Sequence, residues 1–219
     1  MPDLYILMGA NGAGKSTTGA SYLPLHIQNN CEIFDGDKLY WQKVRELYKK
    51  STPSIKEAKR IADDWLTEEF MTRSKKAISE NDDFVYEGHL PIDENWQTPQ
   101  KFKRAGYRIH IIYLGLSDTE VSEFRVFERA KHGGHNVPPY EIARNFYGNL
   151  LQVNKRYKFI DELKIMDTSE SKPKALALLS NGIVESAVHH GKLPEWFEKG
   201  LPRVYRAIIK SEPPLKSNF

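Results

Sequence analysis

Hydrophobic positions follow two alternating patterns along this chain, short apolar runs and longer stripes at helical spacing. The apolar runs predict five strands, at residues 4–8, 31–34, 84–86, 107–114 and 163–166. The run 107–114 is almost entirely apolar or β-branched, which is typical of a strand buried on both faces of a parallel sheet. A further run at residues 183–188 is a candidate edge strand.

Hydrophobic residues at helical spacing occupy the segments between the predicted strands. They predict helices over residues 55–70, 96–105, 117–131, 138–153 and 193–209. Ser54 and Ser117, each with a glutamate three residues later, have the spacing of capping boxes and predict where two of these helices begin. Pro202 interrupts the last stripe, so a break or a kink is predicted there. Alternating strands and helices indicate an α/β fold with a parallel sheet.

One stretch makes the fold class specific. Residues 9–16 read Gly-Ala-Asn-Gly-Ala-Gly-Lys-Ser and fit the phosphate-loop pattern G-x-x-x-x-G-K-[ST], between a predicted strand and a predicted helix. Glycines let consecutive N–H groups point at phosphate oxygens, and the helix adds a positive dipole. Lys15 is expected to reach the β- and γ-phosphates and Ser16 to ligate Mg²⁺. The predicted nucleotide contacts are Gly9, Asn11, Gly12, Ala13, Gly14, Lys15, Ser16 and Thr17.

Carboxylates follow the second and third predicted strands, at the edge where open α/β sheets bind their ligands. An acceptor hydroxyl needs a carboxylate that orients it and accepts its proton. Asp37 lies further beyond its strand than Asp35, so Asp37 is predicted to be the base and Asp35 a supporting or structural acid. The alternative for Asp37 is a helix N-cap, and the two roles are compatible. Glu87 ends the third strand.

Arginines mark the two helices that follow the fourth strand. Arg125 and Arg129 are four residues apart, with His132 three further on, so the three share a helical face. A glycine pair follows, and Arg144 comes early in the next helix. This arrangement predicts a hinged helical lid over residues 117–157 whose arginines stabilise a transferring phosphoryl group. The rival interpretation is that these are surface arginines paired with neighbouring glutamates.

Composition limits the class of protein and the partners that this sequence predicts. The 219 residues are 40% hydrophobic and 28% charged, as in ordinary soluble proteins, and a net charge of +3 does not call for a nucleic-acid partner. The single cysteine, Cys31, excludes an internal disulfide, and no apolar run reaches the ~20 residues of a membrane span. We expect a cytoplasmic protein with no membrane partner. Residues 1–190 are predicted to form one P-loop domain that includes the lid, and residues 191–219 a C-terminal helix and tail packed on it.

Several of these motifs together resemble the zeta-toxin-like family of P-loop kinases. The matching stretches are the phosphate loop, residues 35–37, Glu87 at its strand end, residues 125–129, residues 132–138 and residues 167–169. Residues 132–138 read His-Gly-Gly-His-Asn-Val-Pro, and this segment after an arginine-rich helix is similar to that of short, single-domain members. One departure is that Gly88 and His89 stand where relatives commonly carry two threonines. The implied fold is a five-stranded, mainly parallel P-loop sheet flanked by helices, with a helical lid.

The resemblance implies an ATP-dependent kinase that phosphorylates a hydroxyl of a small acceptor, and characterised toxins of this family act on UDP-N-acetylglucosamine. It also implies the cofactors ATP and Mg²⁺ and a role for each candidate site residue. These roles are phosphate and metal binding for Lys15 and Ser16, the base for Asp37, acceptor binding for Glu87 and Arg125, a γ-phosphate clamp for Arg129 and Arg144, and a place beside the adenine for Asp167 and Thr168. A single chain reveals no antitoxin. Two other classes stay open, a P-loop ATPase or switch that acts on a protein or nucleic-acid partner, and a binding module with a degenerate site.

Overall fold

The strands among the described residues form one sheet. The computed structural model describes residues 1–49, 54–131 and 137–213. In chain order the strands are β1 (Asp3–Gly9), β2 (Ile33–Asp35), β3 (Phe84–Gly88), β4 (Arg108–Gly115), β5 (Glu162–Asp167), β6 (Lys174–Ser180) and β7 (Ile183–Ala187). Their spatial order is β2-β3-β1-β4-β5-β6-β7, parallel through β5 and antiparallel beyond it. The predicted α/β fold with a mainly parallel sheet is confirmed.

The sheet is wider than the five strands predicted, because β6 was missed and β7 was only a candidate. Residues 174–180 read Lys-Ala-Leu-Ala-Leu-Leu-Ser, and alanine and leucine favour helix when the segment is considered alone. Pairing with β5 overrides that preference, with Leu163 opposite Leu179 and Ile165 opposite Ala177. Pairing with β5 therefore decides that residues 174–180 form a strand at this edge of the sheet.

Helices cover the sheet between these strands. They are α1 (Lys15–Thr18), α2 (Leu25–Asn30), α3 (Gly36–Lys49), α4 (Ile55–Glu80), α5 (Gln97–Arg104), α6 (Thr119–Lys131), α7 (Pro139–Arg156), α8 (Glu195–Gly200) and α9 (Pro202–Ser211). The break predicted at Pro202 separates α8 from α9. The predictions made for His132, for the glycine pair Gly133 and Gly134 and for the tail from residue 214 onward lie outside the described residues.

Two helix starts follow the capping chemistry, one of them one residue later than predicted. The Ser54 hydroxyl accepts a hydrogen bond from Glu57 N (3.2 Å), as its capping-box spacing predicted. At α6 the cap is Asp118, whose Oδ1 accepts from Val121 N (2.8 Å), and not Ser117. A carboxylate next to the first turn is a strong acceptor and also interacts favourably with the helix dipole, which explains the shift.

The core lies on both faces of the central strands and extends to the C-terminal helices. Leu4, Ile6 and Leu7 of β1 are fully buried, as expected for a strand in the middle of a parallel sheet. Trp196 of α8 and Val204 of α9 belong to the same hydrophobic cluster as these strands, so both helices pack on the domain. Among the described residues, no helix combines the length and apolar character needed to cross a membrane.

Candidate active site

The phosphate loop leaves β1 at the centre of the sheet, between β3 and β4. Gly12 and Gly14 have φ of 74° and 88°, in the left-handed region that favours glycine. A Cβ on Gly12 would also lie 2.9 Å from Arg125 Cβ, so α6 leaves no room for a side chain there. The amides at the start of α1 have no acceptor within their own helix, which leaves them available to phosphate oxygens.

The predicted helix after the loop is short. It is the single turn α1, followed by a 3₁₀ turn over Gly19–Tyr22. Two β-branched threonines and Gly19 favour helix poorly, which explains the early end. The predicted contribution of a helix dipole is accordingly small, and phosphate attraction at this loop depends on the amides and on Lys15.

Lys15 lies at the base of the loop with its ammonium enclosed by acceptors. Nζ donates to Gly9 O (3.1 Å) and Ala10 O (3.0 Å), and it lies 3.3 Å from His89 Nε2. Burial lowers the pKa of Lys15 to about 8, although Glu87 and Asp37 act in the opposite direction. Phosphate binding requires the ammonium form, and the neighbouring carboxylates of Glu87 and Asp37 favour that charge.

Glu87 meets the phosphate loop at Ser16. Leu7 and Glu87 are register partners in the parallel pair of β1 and β3, and the Ser16 hydroxyl donates to Glu87 Oε2 at 2.7 Å. Burial raises the pKa of Glu87, as do Asp35 and Asp37, while Ser16 and Lys15 oppose the shift. Hydroxyl and carboxylate oxygens in one place are the donor set that Mg²⁺ prefers. The structure thus brings Glu87, predicted to hold the acceptor, to the residue predicted to ligate the metal.

The two aspartates at the end of β2 have different surroundings. Asp35 Oδ1 accepts from Lys38 N (3.0 Å), so Asp35 caps α3. The N-cap role considered for Asp37 is therefore wrong, because the chain enters α3 already at Gly36. Asp37 lies in the first turn of that helix with an exposed side chain. Its carboxylate is therefore not used as the cap of α3, and the role of base predicted for it stays a prediction.

These groups surround one cavity of about 370 Å³. Its wall consists of loop residues, the acids of α3 and β3, and two arginines of α6, namely Asn11, Gly12, Gly14, Lys15, Ser16, Thr17, Asp37, Glu87, Arg125 and Arg129. A larger cavity of about 740 Å³ lies elsewhere, against β5, β6 and β7, and shares none of these residues. We assign the candidate site to the smaller cavity, because the phosphate-binding and acidic groups converge there.

Arg125 and Arg129 differ in what they contact. Arg125 donates to the carbonyls of Thr168 (2.8 Å), Ser169 (2.7 Å) and Gly12 (3.4 Å). It therefore ties the phosphate loop to the loop after β5, and its predicted contact with the acceptor stays a prediction. Arg129 is exposed on the same helix one turn later and lines the cavity, where a phosphate-directed role is open to it.

The loop after β5 carries the two residues predicted beside the adenine. Thr168 is buried, and both its amide and its hydroxyl donate to Gly115 O at 2.9 Å. Asp167 Oδ1 accepts from the amide and the hydroxyl of Ser169. These contacts fix the loop, and the Arg125 bridge holds it beside the phosphate loop. Neither side chain is part of the cavity wall described above, so their contact with the base stays a prediction.

Helix α7 contacts the loop through asparagines that the sequence analysis missed. Asn145 Nδ2 donates to Asn11 Oδ1 (3.0 Å), and Asn149 Nδ2 donates to Gly9 O (3.1 Å). The signal in the sequence was two asparagines four residues apart beside the apolar stripe of this helix. Arg144 is instead exposed and is not among the described residues that line the cavity.

Helices α6 and α7 are held to the phosphate loop in this state. Ser122 Oγ donates to Asn11 O, and Val126 of α6 packs with Val137 and Ile142 at the start of α7. Together with the asparagine contacts, these interactions join the described parts of both helices to the phosphate loop. The hinged lid itself stays a prediction.

One further cluster has metal-ligating residue types, His189, His190 and Glu212, and it lies in the C-terminal part of the chain. Glu212 Oε2 contacts His190 Nδ1 (2.5 Å) and lies 3.5 Å from His189 Nε2. His189 Nδ1 accepts from Gly191 N (3.2 Å), so its proton resides on Nε2, the nitrogen that faces Glu212. The cluster is accordingly a hydrogen-bonded group that links α9 to the preceding turn.

Comparisons with known proteins agree with this geometry. A family model described as Zeta toxin matches residues 1–172, whereas no curated protein sequence matches the chain. A solved structure from the PezAT chromosomal toxin-antitoxin system of Streptococcus pneumoniae is 17% identical with a TM-score of 0.58, covering 96% of this chain and 87% of that one. The AvrRxo1-ORF1:-ORF2 structure with ATP is 16% identical with a TM-score of 0.67, covering 92% of this chain and 64% of that one. At these identities the solved structures show a shared fold. The family model spans most of the chain, and the protein therefore belongs to the zeta toxin family and is an ATP-dependent kinase.

Proposed function

We propose that this kinase transfers the γ-phosphate of ATP to a hydroxyl of a small acceptor, with UDP-N-acetylglucosamine as the first candidate. The observation that carries the proposal is the convergence of Lys15, Ser16, Asp37 and Glu87 on one cavity. A phosphate-binding lysine, an oxygen donor pair for a metal and an exposed carboxylate are the parts that phosphoryl transfer to a hydroxyl requires. Family membership supports a nucleotide-sugar acceptor.

Each group of residues in the site has its own role in the proposed reaction. The loop amides and Lys15 hold the β- and γ-phosphates, and Ser16 with Glu87 would hold Mg²⁺. When bound, the metal neutralises charge on the phosphate oxygens. Asp37 accepts the proton of the acceptor hydroxyl while the oxygen forms its bond to the γ-phosphorus and the bond to the β-phosphate oxygen breaks, which releases ADP. Arg129 stabilises the charge on the transferring group.

The partner that we infer for regulation is a protein antitoxin. Support comes from the PezAT structure, which belongs to a toxin-antitoxin system, and from membership of the same family. Co-expression of the chain with the products of adjacent reading frames, followed by co-purification and an ATP turnover assay, tests this proposal. A partner that co-purifies and suppresses turnover would support it, and recovery of the chain alone in every case would oppose it.

The acceptor is testable by measuring ADP release against separate panels of nucleotide sugars, free sugars and nucleosides, with ³¹P NMR to identify a phosphorylated product. Wild type should form a new phosphomonoester with a nucleotide sugar, and K15M should form none. ATP hydrolysis without product, stimulated only by added protein or nucleic acid, would instead support the ATPase or switch. Absence of both ATP binding and turnover would support a degenerate binding module.

A further inference from the structure

His89 contacts the phosphate-loop lysine from outside the loop. It follows β3, two residues beyond Glu87, and its Nε2 lies 3.3 Å from Lys15 Nζ. On the other side of the ring, Nδ1 lies 3.3 Å from Asn149 Nδ2 of α7. The imidazole therefore lies between the lysine and a buried helix residue, and it is not among the described residues that line the cavity.

The hydrogen-bonding capacity of the lysine matches its surroundings. An ammonium has three N–H groups and no lone pair, and Lys15 has three neighbours that can accept, Gly9 O, Ala10 O and His89 Nε2. Bound phosphate oxygens would take N–H groups from the two loop carbonyls, so the acceptor outside the loop, His89, would keep its contact. For this match His89 must be neutral with its lone pair on Nε2 and its proton on Nδ1, so the Asn149 amide nitrogen, itself a donor, packs against the ring without a hydrogen bond to it.

Asn149 fixes this arrangement from α7. It is fully buried, its Oδ1 accepts from Leu90 N (2.8 Å), and its Nδ2 donates to Gly9 O (3.1 Å). The amide thus holds both the residue after His89 and the carbonyl that Lys15 shares. A flexible lysine loses rotamer freedom when it binds phosphate, and a preformed contact reduces that entropic cost.

We propose that His89 is a positioning residue for Lys15, which holds the ammonium at the base of the phosphate loop through Nε2 while Asn149 anchors the adjoining backbone at Leu90 N and Gly9 O. The inference rests on the proposed function in that Lys15 must bind nucleotide phosphates. It assigns a role to a residue that lies outside the catalytic set. The acceptor at Nε2, and not the bulk of the ring, is what the lysine requires.

The test compares substitutions that keep or remove that acceptor. In H89Q the amide oxygen can reach the position of Nε2, whereas in H89N the amide reaches only the position of Nδ1. Affinity for the non-hydrolysable analogue adenylyl imidodiphosphate with Mg²⁺ would be measured by displacement of a fluorescent ATP analogue. We expect H89N to bind about 3- to 10-fold more weakly than wild type, the range of one net hydrogen bond, and H89Q to stay within about 2-fold. Melting temperatures report whether each variant is folded.

A double-mutant cycle then asks whether the effect passes through the lysine. In a K15M background the H89N substitution should change affinity by less than about 2-fold, because the contact is already lost. An equal loss in both backgrounds, unchanged affinity in H89N, or tighter binding in H89N would each overturn the proposal. If wild type itself fails to bind the analogue, the proposed function fails. If wild type binds and the cycle shows no coupling, only the role of His89 fails.

Discussion

Ser16 and Glu87 are 71 residues apart in the chain, and their side chains form a 2.7 Å hydrogen bond at the edge of the cavity. The contact exists because β3 is the parallel neighbour of β1, so the end of β3 lies beside the start of the phosphate loop. It places a carboxylate next to the hydroxyl that is expected to ligate the metal, so we expect Glu87 to support the metal, and its contact with the acceptor stays a prediction.

The first prediction concerns this pair. E87Q keeps a hydrogen-bond acceptor for Ser16 but removes the negative charge that attracts a cation. We expect nucleotide affinity in the presence of Mg²⁺ to fall by about 10-fold or more, as loss of a metal-supporting side chain does elsewhere. Calorimetry with Mg²⁺ and with EDTA checks this. Equal losses in both conditions would show that Glu87 does not act through the metal.

The second prediction separates the two aspartates after β2. D37N keeps the size of the side chain and removes the proton acceptor, so turnover should fall by about 10²- to 10⁴-fold with little change in melting temperature. D35A removes the cap of α3 and should instead cost about 1 kcal/mol of folding free energy, measured by urea unfolding. A large loss of turnover in D35A with normal turnover in D37N would reverse the two roles.

The third prediction concerns the arginines. Arg129 lines the cavity, and R129A should lower turnover by about 10³-fold, as removal of phosphate-directed arginines does elsewhere, with a much smaller change in ATP affinity. Arg144, exposed on α7, is the matched control, and R144A should retain most of its turnover. An equal loss in R144A would show that α7 closes over the site, as the sequence predicted.

The fourth prediction concerns pH and a polar group at the opposite end of the strands. Asp3 accepts hydrogen bonds from Arg108, and His110 Nε2 lies 3.1 Å from Asp3 Oδ1. Burial by itself would lower the pKa of His110, but Glu162 and Asp3 raise it overall. Burial by itself would raise the pKa of Asp3, but hydrogen bonds from Arg108 and His110 lower it overall.

The sign of the pH dependence follows from these shifts. A raised pKa in the folded state means that the His110 contribution is complete below the unfolded value of about 6.5 and is lost as the pH rises through the folded value. H110Q should therefore reduce the free energy of unfolding more at about pH 5.5 than at about pH 8.5. Urea unfolding of wild type and H110Q at the two pH values measures this. An equal reduction at both pH values would contradict a raised pKa of His110 in the folded state.

The family could be predicted from local patterns in the sequence. The phosphate loop could be predicted from the sequence because its glycines and its lysine are contiguous and each is required by local backbone geometry or charge. Asp35 and Asp37 were recognised for a similar reason, since both follow one strand. Their roles were separated only by the observed start of α3 at Gly36, which makes Asp35 the cap.

Residues far apart in the chain show what the sequence leaves open. No local pattern relates Asn149 to Gly9, or His89 to Lys15, because such contacts depend on which strands are neighbours and how α7 crosses the loop. The missed strand β6 has the same cause, because pairing with β5 decided its conformation. By itself the sequence determined the parallel α/β class, the phosphate loop and the acids beside it, since these depend on short-range geometry. Only the tertiary structure decided which side chains converge on the phosphates, because that depends on packing between distant segments.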